Sequence, residues 1–311
     1  MRLRPGRPDL TRYTDLVRVP GATGDGLAVT FLGVSTLLFD DGACAVLVDG
    51  FFSRPSMLRV GLGKIAPDPA RIDAALGRLG FGPGARSLDA VVAVHSHFDH
   101  ALDSAEVVGR AGGVLVGGES LANLGRGAGL AVEQIHLVIP GVPVTYGAFT
   151  LTHVRSDHCP PDRYPGDITS PVVPPARAAA YKCGDAWSVL IEHTSGRSAL
   201  VQGSAGFVAH ALDGVTADVA YVGIGQLGLL PETYTREYWA HTVTAVGARS
   251  AVLTHWDDFF RPLDQPLRAL PYAGDDLDKT LAVCRDLAAA ENVALSLPRV
   301  WRAEDPWALT P

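Results

Sequence analysis

The sequence predicts a mixed α/β protein in which two layers of β-sheet lie between helices, or two β-rich halves carry helices on their outsides. Three observations lead there. Short β-branched apolar runs separated by Gly and Asp open the chain and recur after its midpoint. Each set of strands is followed by segments with apolar residues at helical spacing. The composition, 47% hydrophobic and 19% charged over 311 residues, is that of a globular chain able to bury a substantial core.

The elements follow in order. Residues 1–26 read as an irregular lead-in that ends in GATGDG. LAVTFLG, STLLFDD and AVLVDG read as the strands of a meander. PDPARIDAALGRLG is a helix, with Pro69 near its start and Gly80 after its end. LDAVVAV is a buried strand, ALDSAEVVGRAG a helix, GVLVG a strand and ESLANLGRG a short helix; QIHLVIP and FTLTHVR are strands. From Cys159 to Ala180 prolines are frequent and periodicity vanishes, the mark of a functional lid or a disordered segment. Strands resume with WSVLIEH, SALVQG and DVAYVGIG. TYTREYWAHTVTAVG is a helix, SAVLTHW a strand, and DDLDKTLAVCRDLAAAEN an amphipathic helix ending at Asn292. Residues 27–311 are expected to form one domain, with the Pro-rich loop at 159–180 as its long insertion.

Charge and cysteine usage exclude several classes. The net charge is −7 and basic runs are absent, which argues against nucleic-acid binding. No run reaches the ~18 apolar residues of a membrane helix. MRLRPGRPDL has no apolar stretch behind its basic residues, so no secretory signal is read. Cys44, Cys159, Cys183 and Cys284 lack paired spacing and do not make a disulfide framework. The expectation is a cytoplasmic protein with reduced thiols, a monomer or homodimer acting on a small molecule.

The chemistry concentrates in HSHFDH, His95 to His100, just past the buried strand LDAVVAV. His95 and His97 are two apart at a strand end, so both side chains can point to one side. Asp99 and His100 follow where the chain turns toward a helix. Four potential ligands in six residues beside a buried strand point to a metal, because such polar groups are costly there without partners. Distant donors stand at two other strand ends: His158 in HVRSDHC and His255 in LTHWDDFF. His153 and Cys159 are weaker alternatives to His158. His136, His193 and His241 read as ordinary structural histidines, and His210 is ambiguous.

HSHFDH resembles the HxHxDH signature of metallo-β-lactamase-fold hydrolases, and the similarity spans roughly Leu27 to His255. VTFLGVSTLLFDDGACAVLVDG resembles the opening meander of that family, and LTHWDDF resembles the last metal-ligand segment of the branch typified by ascorbate-6-phosphate lactonases. The resemblance implies a four-layer αββα sandwich with metals at one edge between the sheets. It implies that His95, His97 and His158 hold one metal, and Asp99, His100 and His255 a second.

The pattern departs from the family at one point. Where a bridging aspartate is usual, the turn QGSAGF puts Ser204. Two divalent ions would then repel with less compensation. Either the second metal binds weakly, or an anionic substrate or another carboxylate supplies the charge; Asp157, Asp257 and Asp258 stand near the ligands in sequence. Imidazole ligands suit zinc, with Fe, Mn and Ni as alternatives. The implied reaction is attack of a metal-bound hydroxide on an ester-like bond (lactone, ester, thioester or phosphodiester). Asp99 is the candidate to orient the nucleophile or take its proton, His255 to hold the second metal or donate a proton, and Ser204 to hydrogen-bond the nucleophile. Arg163, Tyr164 and Lys182 are candidates to meet an anionic group, and Trp256, Phe259 and Phe260 to line an apolar wall. Two other classes compete: a metal redox enzyme on the same fold, and a metal-binding protein without catalysis whose second site is degenerate.

Overall fold

The first sheet grows from the opening meander. β1 (Ala28–Phe31), β2 (Leu37–Asp40) and β3 (Ala45–Val48) are antiparallel neighbours. β4 (Ala90–Val92), β5 (Val114–Gly117) and β6 (Ile135–Leu137) then add in parallel. The switch has a topological cause: a parallel step needs a crossover, and helices supply it. α1 (Met57–Leu62) and α2 (Pro69–Leu79) precede β4, α3 (Phe98–Ala101) and α4 (Ser104–Ala111) precede β5, and α5 (Glu119–Gly127) precedes β6. α2 starts and stops where expected. The Asp68 side chain accepts the Ala70 and Arg71 N–H groups, Pro69 occupies the first turn, and Gly80 takes a left-handed C-cap at φ 83°.

The second sheet repeats the plan. β7 (Val144–Tyr146), β8 (Phe149–Ser156), β9 (Ala186–His193) and β10 (Ser198–Gln202) are antiparallel. β11 (Val219–Gly223), β12 (Ser250–Thr254) and β13 (Ala294–Ser296) are parallel, with α6 (Glu232–Trp239) and α7 (Leu277–Glu291) in the last two crossovers. The C-terminal β14 (Ala303–Glu304) crosses back to pair with β1, so each sheet has seven strands. This computed structural model describes residues 4–22 and 26–311; residues 1–3 and 23–25 of the expected lead-in lie outside them.

The strand period of two sorts the side chains into layers. Val46 and Val48 face the second sheet in one core cluster with Phe149, Val189 and Tyr221, while Leu47 between them joins a second cluster with Ile72, Leu76 and Val108 of the helices. Phe39 meets Tyr221 edge-on, ring centroids 5.9 Å apart. α6 and α7 cover the second sheet with Tyr238, Trp239, Leu281 and Cys284 buried. The chain is thus a four-layer αββα sandwich. All four cysteines are free thiols, and no helix among the described residues is long and apolar enough to cross a membrane.

Several elements differ from the sequence reading. β7, β13 and β14 are two or three residues long, too short for alternation to show. α1 buries none of its residues and so carries no amphipathic signal. Within the lead-in, Leu10–Leu16 forms 3-10 turns whose Tyr13 and Leu16 pack into the main core. The helix expected from Ala101 begins earlier, at Phe98, and breaks before Ser104. α6 passes into a π-helical segment, Ala240–Thr244, where one uninterrupted helix was expected. The Pro-rich segment is tied down along its length. The Tyr164 carbonyl accepts from Cys183 N–H and the Ile168 N–H donates to Ser120 Oγ. Asn123 Nδ2 donates to the Ile168 carbonyl, and Ala176 bridges Ile65.

His153 lies inside β8 against Trp187, buried, with Nε2 lacking a hydrogen-bond partner among the described residues. Burial pulls its pKa down to about 4. The unfolded chain, near 6.5, therefore binds the extra proton between these values. The stability His153 contributes is complete above pH 6.5 and is lost as pH falls toward 4. Urea unfolding at pH 7 and pH 5 is expected to show a fall steeper by about 1–2 kcal/mol in the parent than in His153→Leu. Equal slopes in the two proteins would exclude this role.

Candidate metal centre

HSHFDH is stapled to both sheets before it delivers its ligands. Val94 N–H donates to Asp49 Oδ1 at the end of β3, and the Val94 carbonyl accepts from Trp187 N–H of β9. Ser96 N–H donates to the Cys183 carbonyl. His97, with extended backbone, is the N-cap of α3. That short helix carries Asp99 and His100, so the two candidate pairs stand on either side of the turn from strand to helix.

The six residues form two trios. Donor atoms of His95, His97 and His158 lie within 4.8 Å of one another, and so do those of Asp99, His100 and His255. In the first trio His95 Nε2 is 3.2 Å from His97 Nδ1, and the His158 ring lies 4.9 and 4.6 Å from those of His95 and His97. In the second, Asp99 Oδ2 is 3.8 Å from His100 Nε2 and 3.5 Å from His255 Nε2. The His95 and His100 rings are 3.9 Å apart, so the trios adjoin.

Hydrogen bonds on the far sides of the rings decide which nitrogens have lone pairs. His158 Nδ1 donates to the Cys159 carbonyl at 2.7 Å, leaving Nε2 as an acceptor. His97 Nε2 faces two acceptors at 3.2 Å, the Tyr164 carbonyl and Asp162 Oδ1, leaving Nδ1 as the lone pair. His100 Nδ1 faces Asp49 Oδ2 at 2.8 Å, and Ser35 Oγ supports the same carboxylate. His100 Nε2 is then a fully buried lone pair with no partner among the described residues. An orphaned ring nitrogen beside a carboxylate and a third imidazole fits a cation.

The electrostatics agree with a cation site. Burial and the neighbouring imidazoles hold His95 well below its usual range, burial lowers His97 against the opposing pull of Asp99 and Asp162, and burial with His97 lowers His158 to about 4. These rings are neutral near pH 7, the form that ligates a metal. Burial alone would raise the Asp99 carboxyl, but His100 and the His255 hydrogen bond outweigh it and keep Asp99 ionised. Burial opposes protonation of His100, yet Asp49 and Asp99 raise it in the absence of a cation.

The turn with Ser204 packs against the His158 turn. Ser204 Oγ accepts the Cys159 N–H at 3.0 Å. Gln202 Nε2 donates to Ser156 Oγ and to the Ser204 and Gly206 carbonyls, joining the ends of β8 and β10. Neither Asp257 nor Asp258 replaces the bridging carboxylate: Asp257 is paired with Arg54, and Asp258 with Arg7 and Arg268. Asp157 is exposed and lines, with His158, Asp162 and Cys183, an open cleft of about 410 Å³.

The remaining candidates divide. The Tyr164 ring stands edge-on to His97 at 6.1 Å, and Phe259 edge-on to His255 at 5.8 Å. Arg163 and Lys182 are exposed. Trp256 is buried in the main core against Phe31, so its ring is packing rather than wall. The Phe260 ring lies tilted against Phe259, centroids 4.5 Å apart. Sequence reasoning missed Asp49, Ser35 and Asp162. Asp49 had a usable signal, a carboxylate directly after a buried strand; Asp162 had none, because its loop is aperiodic.

No protein-family profile matches the chain, and no curated protein matches its sequence. Solved structures do match. Igni18, a metallohydrolase from the archaeon Ignicoccus hospitalis, is 15% identical, with a TM-score of 0.50 over 90% of this chain and 96% of that one. YhfI from Bacillus subtilis, a metallo-β-lactamase-fold protein, is 15% identical, with a TM-score of 0.50 over 91% and 98%. CmlA from Streptomyces venezuelae, a diiron β-hydroxylase, is 13% identical, with a TM-score of 0.52 over 89% of this chain and 53% of that one. The protein has the metallo-β-lactamase fold.

Proposed function

We propose that this protein is a metal-dependent hydrolase acting on an ester-like bond of a small molecule. The observation that carries the reading is the pair of adjoining trios, with three imidazole rings, His97, His100 and His158, whose far-side hydrogen bonds turn lone pairs toward one edge. The first trio, three imidazoles, suits zinc. His95, His97 and His158 would hold the ion, which would supply a coordinated water with a pKa of about 7 and polarise the oxygen that gains charge.

The chain's own groups do the rest. Asp99, ionised and between His100 and His255, orients the nucleophile and is placed to take its proton. His255 completes the second trio or, with one ion present, donates a proton to the leaving group. Ser204 holds the His158 turn through Cys159 and so aligns a ligand. Tyr164 and Phe259 border the two trios, while Arg163 and Lys182 reach an anionic group only from the rim. The substrate class and the kinship with the lactonase branch rest on the sequence resemblance.

A redox reading draws on the shared fold with a diiron enzyme. Ser204 counts against it, because a bridging carboxylate that would help hold two irons is replaced by a neutral hydroxyl. The deciding experiment combines metal analysis with a panel of lactone, ester, thioester and phosphodiester substrates. Hydrolysis that disappears with a chelator and returns with zinc is the expected result. Metal-loaded protein inert on the whole panel would overturn the hydrolase reading. In the same preparation, Ser204→Asp is expected to raise metal content from between one and two ions per chain toward two. Two tightly held ions in the parent would refute the charge argument.

A further inference from the structure

Beneath His255 lies a buried ion pair that the proposed chemistry does not use. Arg54 and Asp257 both have side chains with no exposure, and Arg54 Nη1 donates to Asp257 Oδ2 at 2.7 Å. Asp257 Oδ1 accepts the Val34 N–H at 2.7 Å, and the Val34 carbonyl accepts the His255 N–H at 2.6 Å. Val34 is therefore held from both sides by a segment that begins with a proposed ligand. Gly33 lacks the Cβ that would overlap Arg54 Nη2, so the turn before Val34 is shaped to admit the guanidinium. Arg54 Nε and Nη2 have no partners among the described residues, a costly arrangement for a group serving stability alone.

Backbone strain collects at the same place. Val34 (φ 53°), Arg54 (φ 42°) and His255 (φ 58°) all occupy the left-handed region, unusual for any non-glycine and most of all for a β-branched valine. Such conformations persist only where surrounding contacts over-determine them. The contacts here run Arg54 to Asp257, Asp257 to Val34, and Val34 to His255. On the other side Gly225 leaves room for the His255 ring and carbonyl, both of which a Cβ would crowd to 2.8 Å.

We propose that Arg54 and Asp257 are positioning residues for the second trio, holding His255 in the backbone conformation that turns its Nε2 toward Asp99. The proposal rests on the metal-site reading above and adds an asymmetry to it. The first trio hangs on β4, β8 and the QGSAGF turn, and among the described residues the polar partners of Arg54 are Asp257, the Arg261 carbonyl and Arg71, none of them on those elements. Loss of the ion pair then weakens only the second.

The test is zinc titration of the full chain followed calorimetrically. His100→Ala isolates the first trio and His97→Ala the second, and each is combined with Arg54→Met or Arg54→Lys. Arg54→Met is expected to weaken binding at the second trio by about 10–100-fold, the usual cost of removing an outer partner, and to change the first by less than about threefold. Arg54→Lys, which keeps the charge, is expected to recover part of the loss. Should Arg54→Met fail to fold, the Lys variant still decides, with a several-fold loss confined to the second trio. Equal losses at both trios, or none at the second, overturn the proposal. Absence of a second ion in the parent overturns it too while sparing a one-metal hydrolase; absence of any ion overturns the metal reading itself.

Discussion

His97→Ala is expected to abolish hydrolysis and to weaken metal binding at the first trio by more than about 100-fold, beyond the range of outer-partner losses. The reason is geometric. His97 stands where the strand carrying HSHFDH becomes α3, and it is tied to the Pro-rich strap through Tyr164 and Asp162. Its removal takes away a donor and also the group that sets the strap against the site. Chelator-treated parent and the variant are expected to behave alike in the substrate panel. Full activity in a folded His97→Ala protein would exclude a catalytic ion at the first trio. Near-UV circular dichroism distinguishes the expected loss of hydrolysis from loss of the fold.

Gly206→Ala is expected to destabilise the protein by about 3 kcal/mol, at the upper end of overpacking costs, and to lose the first metal. A Cβ at Gly206 would fall inside contact distance of the Asp157 carbonyl and the His158 backbone. Those are main-chain atoms and cannot swing away as a flexible side chain can. The turn bearing His158 must retreat, and with it the ring that completes the first trio. Chemical denaturation and metal analysis of the same preparation check both halves of this expectation. Unchanged midpoint and unchanged metal content would show that the two turns are not in register as described.

The meaning of QGSAGF changes with the structure. In sequence it is a place where a carboxylate is missing, with Ser204 there as a candidate to hydrogen-bond the nucleophile. In three dimensions it is a socket. Gly206 admits the Asp157 and His158 backbone, and Ser204 Oγ accepts the next N–H, from Cys159. Gln202 ties both turns together. The residues that looked like a gap in a metal site build the support of one of its ligands. Asp257 changes in the same way, from a spare carboxylate to the partner of a buried arginine.

By itself the sequence determined the strands and helices long enough to show a period, the strand-end placement of His95, His97, Asp99 and His100, and the pairing of these with His158 and His255. The elements and the placement of the motif rest on local information, alternation, helix caps and clustered polar residues beside an apolar run, while the pairing with His158 and His255 is what the family resemblance implies. Only the tertiary structure decided what lies behind each ligand. Asp49 supports His100 from β3, Asp162 faces His97 from the strap, and Arg54 steadies the His255 segment across about 200 residues of chain. Contacts of that kind leave no periodic trace. They exist because a sandwich of two sheets brings strand ends together at one edge, and buried polar atoms there must find partners wherever the chain happens to pass.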